Sequence, residues 1–187
     1  MASAASTPQG SAGAPLFEGV PRLGLGLAAI GRPGYINLNR ADELGDTRSK
    51  AAMEAHCHGV LNAAWDAGIR YYDCARSYGE SEAFLGSWLA SRGLEPGAVR
   101  VGSKWGYRYT ADWRVDTGGE PHEVKDHSVE HLRAQVPETA ANVGRHLDLY
   151  QIHSATLESG VLDDVQVLAE LARLKNERGW RLGLSVS

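Results

Sequence analysis

The sequence predicts an α/β fold of the (β/α)8 TIM-barrel type, with about the first five strands and four helices present. Short apolar runs alternate with segments of helical periodicity, an order typical of parallel strands joined by helical crossovers. No G-x-G-x-x-G motif follows the first apolar run, as a doubly wound nucleotide-binding sheet would require. Instead, successive strands end on polar residues, which is where such barrels carry their sites: Asp73, Lys104, His153 and Ser185.

The first three strands and two helices are expected between residues 23 and 104. The strands are the glycine-thinned apolar run 23–27, then 69–73 and 99–104. Gly68 is placed to end a first helix over 49–67, whose apolar residues recur on one face: Met53, Cys57, Val60, Leu61 and Ala64. The second helix covers 81–91, with Gly93 after it and three apolar residues inside it: Leu85, Trp88 and Leu89.

Two further helices and two strands follow the third strand. Ser128 is a good N-cap for a third helix, which Pro137 is expected to kink or break. Residues 147–153 form the fourth strand. Asp163 or Asp164 caps a fourth helix that closes around Gly179, and a fifth strand starts at 182.

The length of the chain sets the domain assignment. A complete barrel of this type usually needs about 250 residues, and five parallel strands alone would leave two unpaired edges and a half-covered core. We therefore expect a fragment or truncated gene product, with residues 16–187 forming the N-terminal part of a barrel. Residues 1–15, made mostly of Ala, Ser, Gly and Pro, are predicted to be a disordered tail.

Composition indicates which partners the protein is expected to bind and in which compartment it is expected to lie. The formal charge of −4 and the scattered basic residues argue against binding to nucleic acid or anionic membranes. Two cysteines are too few for a disulfide framework, and they are best interpreted as reduced thiols: Cys57 and Cys74. No apolar run approaches the ~20 residues that span a bilayer, and the N-terminus lacks signal-peptide features. We expect a cytoplasmic protein.

The densest chemical signal is the segment from Tyr71 to Glu82. Here the sequence resembles the aldo-keto reductases, on four ordered matches: A-G-I at 67–69, D-x-A-x-x-Y-G-x-S-E at 73–82, S-K at 103–104 and D-x-Y-x-x-H at 148–153. The resemblance covers residues 23–185. Taken singly, each polar residue also has an ordinary interpretation: Asp73 as a cap, Tyr78 as a half-buried aromatic, Lys104 as a surface charge and His153 as a core histidine.

The resemblance implies roles for a tetrad formed by Asp73, Tyr78, Lys104 and His153. Tyr78 would be the general acid, tuned by Lys104 and Asp73, while His153 would orient the substrate carbonyl. This assignment is chemically sound, because a tyrosine with an ordinary pKa of ~10 is a reluctant proton donor and a neighbouring ammonium stabilises its phenolate. Hydride transfer builds negative charge on the carbonyl oxygen, which a proton donor and a hydrogen bond can stabilise. Neither a metal nor a covalent nucleophile is needed.

Other candidate residues are less well supported. Ser185 falls where the family has a serine that contacts the nicotinamide, although Val186 replaces the asparagine that commonly follows. The long segment from Trp105 to Asp126 is rich in aromatic residues and is expected to shape an apolar pocket, with Trp105 as its wall because it follows Lys104 directly. Residues 28–48 form a second long loop. The run 56–58 (His-Cys-His) is not expected to bind metal, because adjacent helical residues point apart.

The resemblance therefore implies an NAD(P)H-dependent oxidoreductase that reversibly reduces an aldehyde, ketone or sugar carbonyl, using NADPH or NADH and a small-molecule substrate. Two alternatives stay open. One is a non-catalytic cofactor-binding or regulatory subunit of the same fold. The other is an inactive truncated fragment, since in the family most contacts to the pyrophosphate and adenosine come from strands beyond the fifth.

Overall fold

The structure, a computed structural model, describes residues 15–35 and 49–186. In these residues four α-helices accompany seven strands. The strands are β1 (Leu25–Gly26), β2 (Tyr71–Asp73), β3 (Arg100–Trp105), β4 (Tyr107–Tyr109), β5 (Glu123–Lys125), β6 (Leu147–Ile152) and β7 (Arg181–Leu184). The helices are α1 (Lys50–Asp66), α2 (Ser81–Ser91), α3 (Val129–Val143) and α4 (Val165–Arg178). None of the helices described is long and apolar enough to cross a membrane.

Five of the strands form one parallel sheet in the order β1-β2-β3-β6-β7. Each neighbouring pair is joined through one helix, so α1, α2, α3 and α4 are the successive crossovers. The C-terminal ends of all five strands therefore meet at one edge of the sheet. Strand order and direction agree with the predicted partial barrel.

The predicted helix ends are visible as capping hydrogen bonds. Ser49 Oγ accepts from the backbone N–H of Ala52 at 3.3 Å and starts α1, and Ser128 Oγ does the same for α3. At α4 the alternative between two aspartates is resolved, because Asp164 Oδ1 accepts from two backbone N–H groups of the first turn. Gly179, with φ of +72°, ends α4 as predicted. The bounds of α2 match the predicted range.

Pro137 does not break α3, so that part of the prediction is wrong. The helix continues through it to Val143. Proline deprives the carbonyl four residues earlier, that of Arg133, of its helical N–H partner. Both Pro137 and Arg133 are exposed, so water can solvate this carbonyl and the helix survives.

The segment after β3 contains a feature that the sequence analysis missed. Residues 107–109 pair antiparallel with 123–125, with Tyr107 opposite Lys125 and Tyr109 opposite Glu123. This hairpin, β4–β5, stands above the end of β3. Neither short strand lies in an apolar run of the kind that marks β1 and β2, because the two strands are defined by their pairing with each other. The predicted tail lies outside the described residues except for Pro15, and the loop over 28–48 is described only to Tyr35, as two short 3-10 turns.

The two faces of the parallel sheet carry different chemistry, because successive strand residues point to opposite sides. One face packs on the helices and forms the core, in which Tyr72 lies with its ring centroid 5.4 Å from that of Trp88 on α2. Val101 and Tyr150 are fully buried on the same face. The other face carries polar residues, which alternate with core residues along each strand. Those nearest the C-terminal edge are Asp73, Lys104 and Gln151.

Candidate active site

The tetrad assembles at the C-terminal edge of the parallel sheet. Asp73 is the last residue of β2, Lys104 is the penultimate residue of β3, and His153 directly follows β6. Tyr78 reaches the same place from the loop between β2 and α2. The structure therefore brings together four residues that the sequence spreads over 81 positions, from 73 to 153.

Lys104 and Asp73 form a partly buried ion pair. Lys104 is 7% exposed, and its Nζ donates to Asp73 Oδ2 and, at 3.0 Å, to the carbonyl of Cys74. These two acceptors hold the ammonium against the face of Tyr78, 5.0 Å from the ring centroid. A cation in this position stabilises negative charge on the tyrosine.

Two residues that the sequence analysis did not select hold the other oxygen of Asp73. Tyr71 Oη donates to Asp73 Oδ1 at 3.3 Å, and Gln151 Nε2 does so at 3.5 Å. Burial, reinforced by the charge of Asp73, raises the pKa of Tyr71, so its hydroxyl stays protonated as a donor. A signal existed, since Tyr71 and Gln151 lie two residues before Asp73 and His153 and therefore share their face of the sheet.

His153 also contacts Tyr78. Its Nε2 lies 3.3 Å from Tyr78 Oη, and the two rings meet edge to face with centroids 5.3 Å apart. Burial lowers the pKa of His153 to about 4, and nearby cations, Lys104 first among them, act in the same direction. The imidazole is therefore neutral near pH 7, and it offers a hydrogen bond rather than a positive charge.

The loop that carries Tyr78 is fixed by close backbone packing. The N–H of Arg76 donates to the carbonyl of Lys104 at 3.1 Å, and the N–H of Glu80 donates to the carbonyl of Gly31 at 2.8 Å. Gly79 has φ of +66°, and a Cβ there would lie 2.6 Å from the Gly31 carbonyl oxygen. Only glycine fits this position. The close packing here and the two hydrogen bonds hold the backbone that carries Tyr78 in place.

The aldo/keto reductase family model matches residues 22–176 of the chain. The chain belongs to the aldo/keto reductase family. The prediction made from the four motifs is thereby confirmed.

Individual relatives agree with this assignment. The chain is 33% identical over 146 residues to D-threo-aldose 1-dehydrogenase from a Pseudomonas species, a match covering 72% of this chain and 40% of that protein. A crystal structure assigned as an aldo-keto reductase from Pseudomonas aeruginosa superposes with a TM-score of 0.64 at 28% identity, covering 89% of this chain and 56% of the other. An aldo-keto reductase from Bacillus halodurans, at 22% identity, TM-score 0.60, and 89% and 46% coverage, shows the fold.

These structures confirm the predicted partial (β/α)8 barrel. The chain spans 40% of the length of the curated relative and 56% of the length of the Pseudomonas aeruginosa structure. The strands that this chain contributes to the aldo/keto reductase barrel include those that position the tetrad.

Ser185 lies at the C-terminal edge of the parallel sheet. It directly follows β7, is half-buried, and its Oγ accepts from the backbone N–H of Ser154 at 2.9 Å. Because Oγ is the acceptor in this bond, its own proton stays available for a ligand. Val186 is 74% exposed and offers no side-chain polar group.

Trp105 is not a wall of the site in this aldo/keto reductase chain. Its side chain is 1% exposed and belongs to the hydrophobic core, with its ring edge to face against His127. The expectation rested on its following Lys104 directly, but neighbouring strand residues point to opposite faces of a sheet. Lys104 faces the site, so Trp105 must face the helices.

Tyr107, two residues further on, takes the place expected for Trp105. It is the first residue of the hairpin β4–β5, and its ring lies edge to face against His153 with centroids 4.9 Å apart. Lys125, its cross-strand neighbour, holds Nζ 5.5 Å from the Tyr107 centroid and donates to the carbonyl of Ser154 at 3.0 Å. The hairpin thus brings an aromatic face and a cation to the rim of the site.

A second buried polar group lies behind β3. Glu82, on α2, is fully buried and accepts from Ser103 Oγ at 2.6 Å, Thr139 Oγ1 at 2.9 Å and Asn142 Nδ2 at 3.2 Å. Burial raises the pKa of this carboxyl, and the three donors oppose the rise. Glu82 therefore ties α2, β3 and α3 together immediately behind Lys104.

The His-Cys-His run on α1 does not converge. Cys57 is buried in the core, His56 is exposed, and His58 Nε2 lies 2.9 Å from Ser87 Oγ on α2. Cys57 and Cys74 are both buried free thiols. Over residues 15–35 and 49–186, no group of three or more His, Cys, Asp or Glu is arranged to hold a metal ion.

Proposed function

We propose that this protein is an NAD(P)H-dependent oxidoreductase that reversibly reduces an aldehyde, ketone or sugar carbonyl. One observation carries the proposal: Tyr78 Oη lies 3.3 Å from His153 Nε2, with the Lys104 ammonium 5.0 Å from the tyrosine ring. A proton donor, a cation and a neutral hydrogen-bond donor thus surround one point. Family membership supports carbonyl and alcohol chemistry in general.

The proposed reaction proceeds at that point. A nicotinamide cofactor, NADPH or NADH, supplies the hydride when it is bound. Tyr78 gives its proton to the carbonyl oxygen as negative charge develops there, and Lys104 stabilises the resulting phenolate. His153 donates a hydrogen bond to the same oxygen, which orients the carbonyl. In the oxidation direction, the Tyr78 phenolate takes the proton of the alcohol.

Ser185 is proposed to hold the carboxamide of the nicotinamide. Its hydroxyl proton is available because its oxygen already accepts from Ser154. A carboxamide presents one carbonyl acceptor and an amine donor, so a serine hydroxyl suits its acceptor side. The lack of a polar side chain at Val186 leaves the amine side to another partner.

The substrate is proposed to be a small polyhydroxylated carbonyl compound, with an aldose as the leading example. Support comes from the relative whose name describes it as a D-threo-aldose 1-dehydrogenase. Tyr107 adds support from the site itself, because its half-buried ring beside His153 offers an apolar face to a sugar's C–H groups. Lys125 at the rim can donate to hydroxyl groups.

The test is Tyr78→Phe, with Tyr72→Phe as the matched control. Both changes delete one phenolic oxygen and little volume, but Tyr72 faces the helices and donates to the carbonyl of Ile69. With NADPH or NADH and D-glyceraldehyde, Tyr78→Phe should lower kcat by about 10²- to 10⁴-fold, while fluorescence titration shows unchanged cofactor affinity. Tyr72→Phe should keep its turnover.

Comparable turnover in Tyr78→Phe would refute the tetrad assignment. Cofactor binding without turnover in the unmodified protein would instead favour the alternative, a non-catalytic cofactor-binding subunit.

A further inference from the structure

A buried serine contacts the imidazole of His153 on the side away from Tyr78. Ser77 is 1% exposed, and its Oγ lies 3.4 Å from His153 Nδ1. Tyr78 Oη faces the other ring nitrogen, Nε2. Both nitrogens of the ring therefore have a hydroxyl partner, and these partners come from consecutive residues of one loop.

The two ring nitrogens of a neutral imidazole have different hydrogen-bonding roles. A neutral imidazole carries one proton, so one nitrogen donates and the other accepts. The environment keeps this ring neutral: it is largely buried, and the cations near it include Lys104, Lys125 and Arg32. Which nitrogen carries the proton then depends on the partners alone.

The hydroxyl of Ser77 decides between the two arrangements. Among the described residues, His153 Nδ1 is the only hydrogen-bond partner of Ser77 Oγ. If Nδ1 carried the proton, the buried Ser77 hydroxyl would have to accept it and would leave its own proton without a partner. A buried unsatisfied donor is costly. If Ser77 donates to Nδ1, every group in this contact is satisfied and the imidazole proton lies on Nε2.

The position of Ser77 is itself fixed. Arg32, 5% exposed, donates from Nη1 to the carbonyl of Ser77 at 3.1 Å, and the same nitrogen lies 3.3 Å from Glu123 Oε2 on β5. The serine is therefore held from the loop after β1 and, through Arg32, from the hairpin β4–β5. A side chain held in this way can impose an orientation on a neighbouring ring.

We propose that Ser77 is a positioning residue that selects the Nε2–H tautomer of His153. Ser77 Oγ–H donates to Nδ1, and Nε2–H then points toward Tyr78 Oη and the space for the reacting oxygen. Ser77 itself touches neither substrate nor cofactor. The consequence for catalysis rests on the proposed carbonyl reduction, whereas the tautomer is a property of the protein alone.

The tautomer can be measured directly. Long-range ¹H–¹⁵N correlation spectra of protein labelled with ¹⁵N-histidine distinguish protonated from unprotonated ring nitrogens, and a His153→Asn variant identifies the signals of His153. The unmodified protein should show the proton on Nε2. Ser77→Ala should shift the ring to a mixture of tautomers, whereas Ser77→Thr, which keeps the hydroxyl, should preserve the original pattern.

A proton on Nδ1 in the unmodified protein would overturn the proposal even if no variant folded. An unchanged pattern in a folded Ser77→Ala variant would also overturn it. In the activity assay with NADPH and D-glyceraldehyde, Ser77→Ala should lower kcat about three- to tenfold, as expected for one neutral hydrogen bond, with an unchanged KM for NADPH and rescue by Ser77→Thr. The predicted tautomer without turnover would refute carbonyl reduction and leave the role of Ser77 standing.

Discussion

Lys104→Met tests whether the ammonium acts on Tyr78 or only balances the charge of Asp73. The change keeps an unbranched side chain and removes the charged group. The Lys104 side chain is 8% exposed, so the ammonium makes its contacts almost out of water. The loss removes the ion pair with Asp73 and the 3.0 Å hydrogen bond to the Cys74 carbonyl.

The structure sets the expected magnitude. Removing one member of a fully buried ion pair costs about 3–5 kcal/mol of unfolding free energy, because the other charge is left uncompensated. The Asp73 side chain is 24% exposed and keeps Tyr71 and Gln151 as donors. We therefore expect a smaller loss, about 2–3 kcal/mol. Adding Asp73→Asn removes the uncompensated charge and should recover most of it, leaving a deficit of about 1 kcal/mol.

The assay combines urea unfolding with turnover. Stability should fall in Lys104→Met and largely recover in the double variant, whereas kcat should stay at least about 100-fold down in both, because both lack the Lys104 ammonium beside Tyr78. Lys175→Met, on the exposed face of α4, is the matched control and should change stability by no more than about 0.5 kcal/mol. Restored turnover in the double variant would refute the reasoning, since Lys104 would then serve only Asp73.

Three further predictions concern stability and the geometry of the site. The pKa of His153 is about 4 in the folded protein and ~6.5 in an unfolded chain. The unfolded state binds more protons between these values, so stability should fall as pH drops from ~6.5 to ~4. Urea titrations of His153→Gln should show a smaller fall, and an equal one would contradict the burial of a neutral ring. Glu82→Ala leaves three donors without their acceptor and should cost about 3 kcal/mol or more in thermal unfolding, whereas Glu82→Gln, which keeps an acceptor, should cost much less. Gly79→Ala should lower both kcat and stability because its Cβ would meet Gly31, whereas Gly93→Ala, with φ of +60° but no atom within 4 Å of its Cβ, should cost only about 1 kcal/mol and no activity. Equal losses in the two glycine variants would contradict the packing argument.

Local signals in the sequence were sufficient to predict most of the fold. The cap at Ser128, the start of the first helix at residue 49 and the terminating Gly179 are set by hydrogen bonds and torsion angles within one turn, and these were predicted correctly. Pro137 shows the limit of such rules. Whether a proline breaks a helix depends on whether the carbonyl that loses its partner, here that of Arg133, lies on the side of the helix that faces water. The hairpin β4–β5 was missed for a related reason: its strands are defined by each other, across thirteen intervening residues numbered 110–122.

The tetrad could be predicted because four family motifs occur in the expected order along the chain. The structure brings its members together. The residues around the tetrad could not be predicted in the same way. Proximity in the chain suggested Trp105, but the alternation of strand residues turns it toward the helices. Tyr107 reaches the site because the chain leaves β3 at Gly106, which has φ of +114°, and enters the hairpin β4–β5. Ser77 has no local signature, because its role exists only through its contact with His153. Gln151 is marked only by its position two residues before His153, on the same face of the sheet.

The contact between the first two loops has a consequence for control of the site. Glu80 N–H binds the carbonyl of Gly31, and Arg32 binds the carbonyl of Ser77, so these bonds bracket Tyr78 along the chain. Tyr78 is thus held by the loop after β1 as much as by its own loop. In the proposed reaction, a ligand that displaces Gly31 or Arg32 would alter the rate of proton transfer without touching Tyr78, so this loop would be a natural place for adjusting that rate.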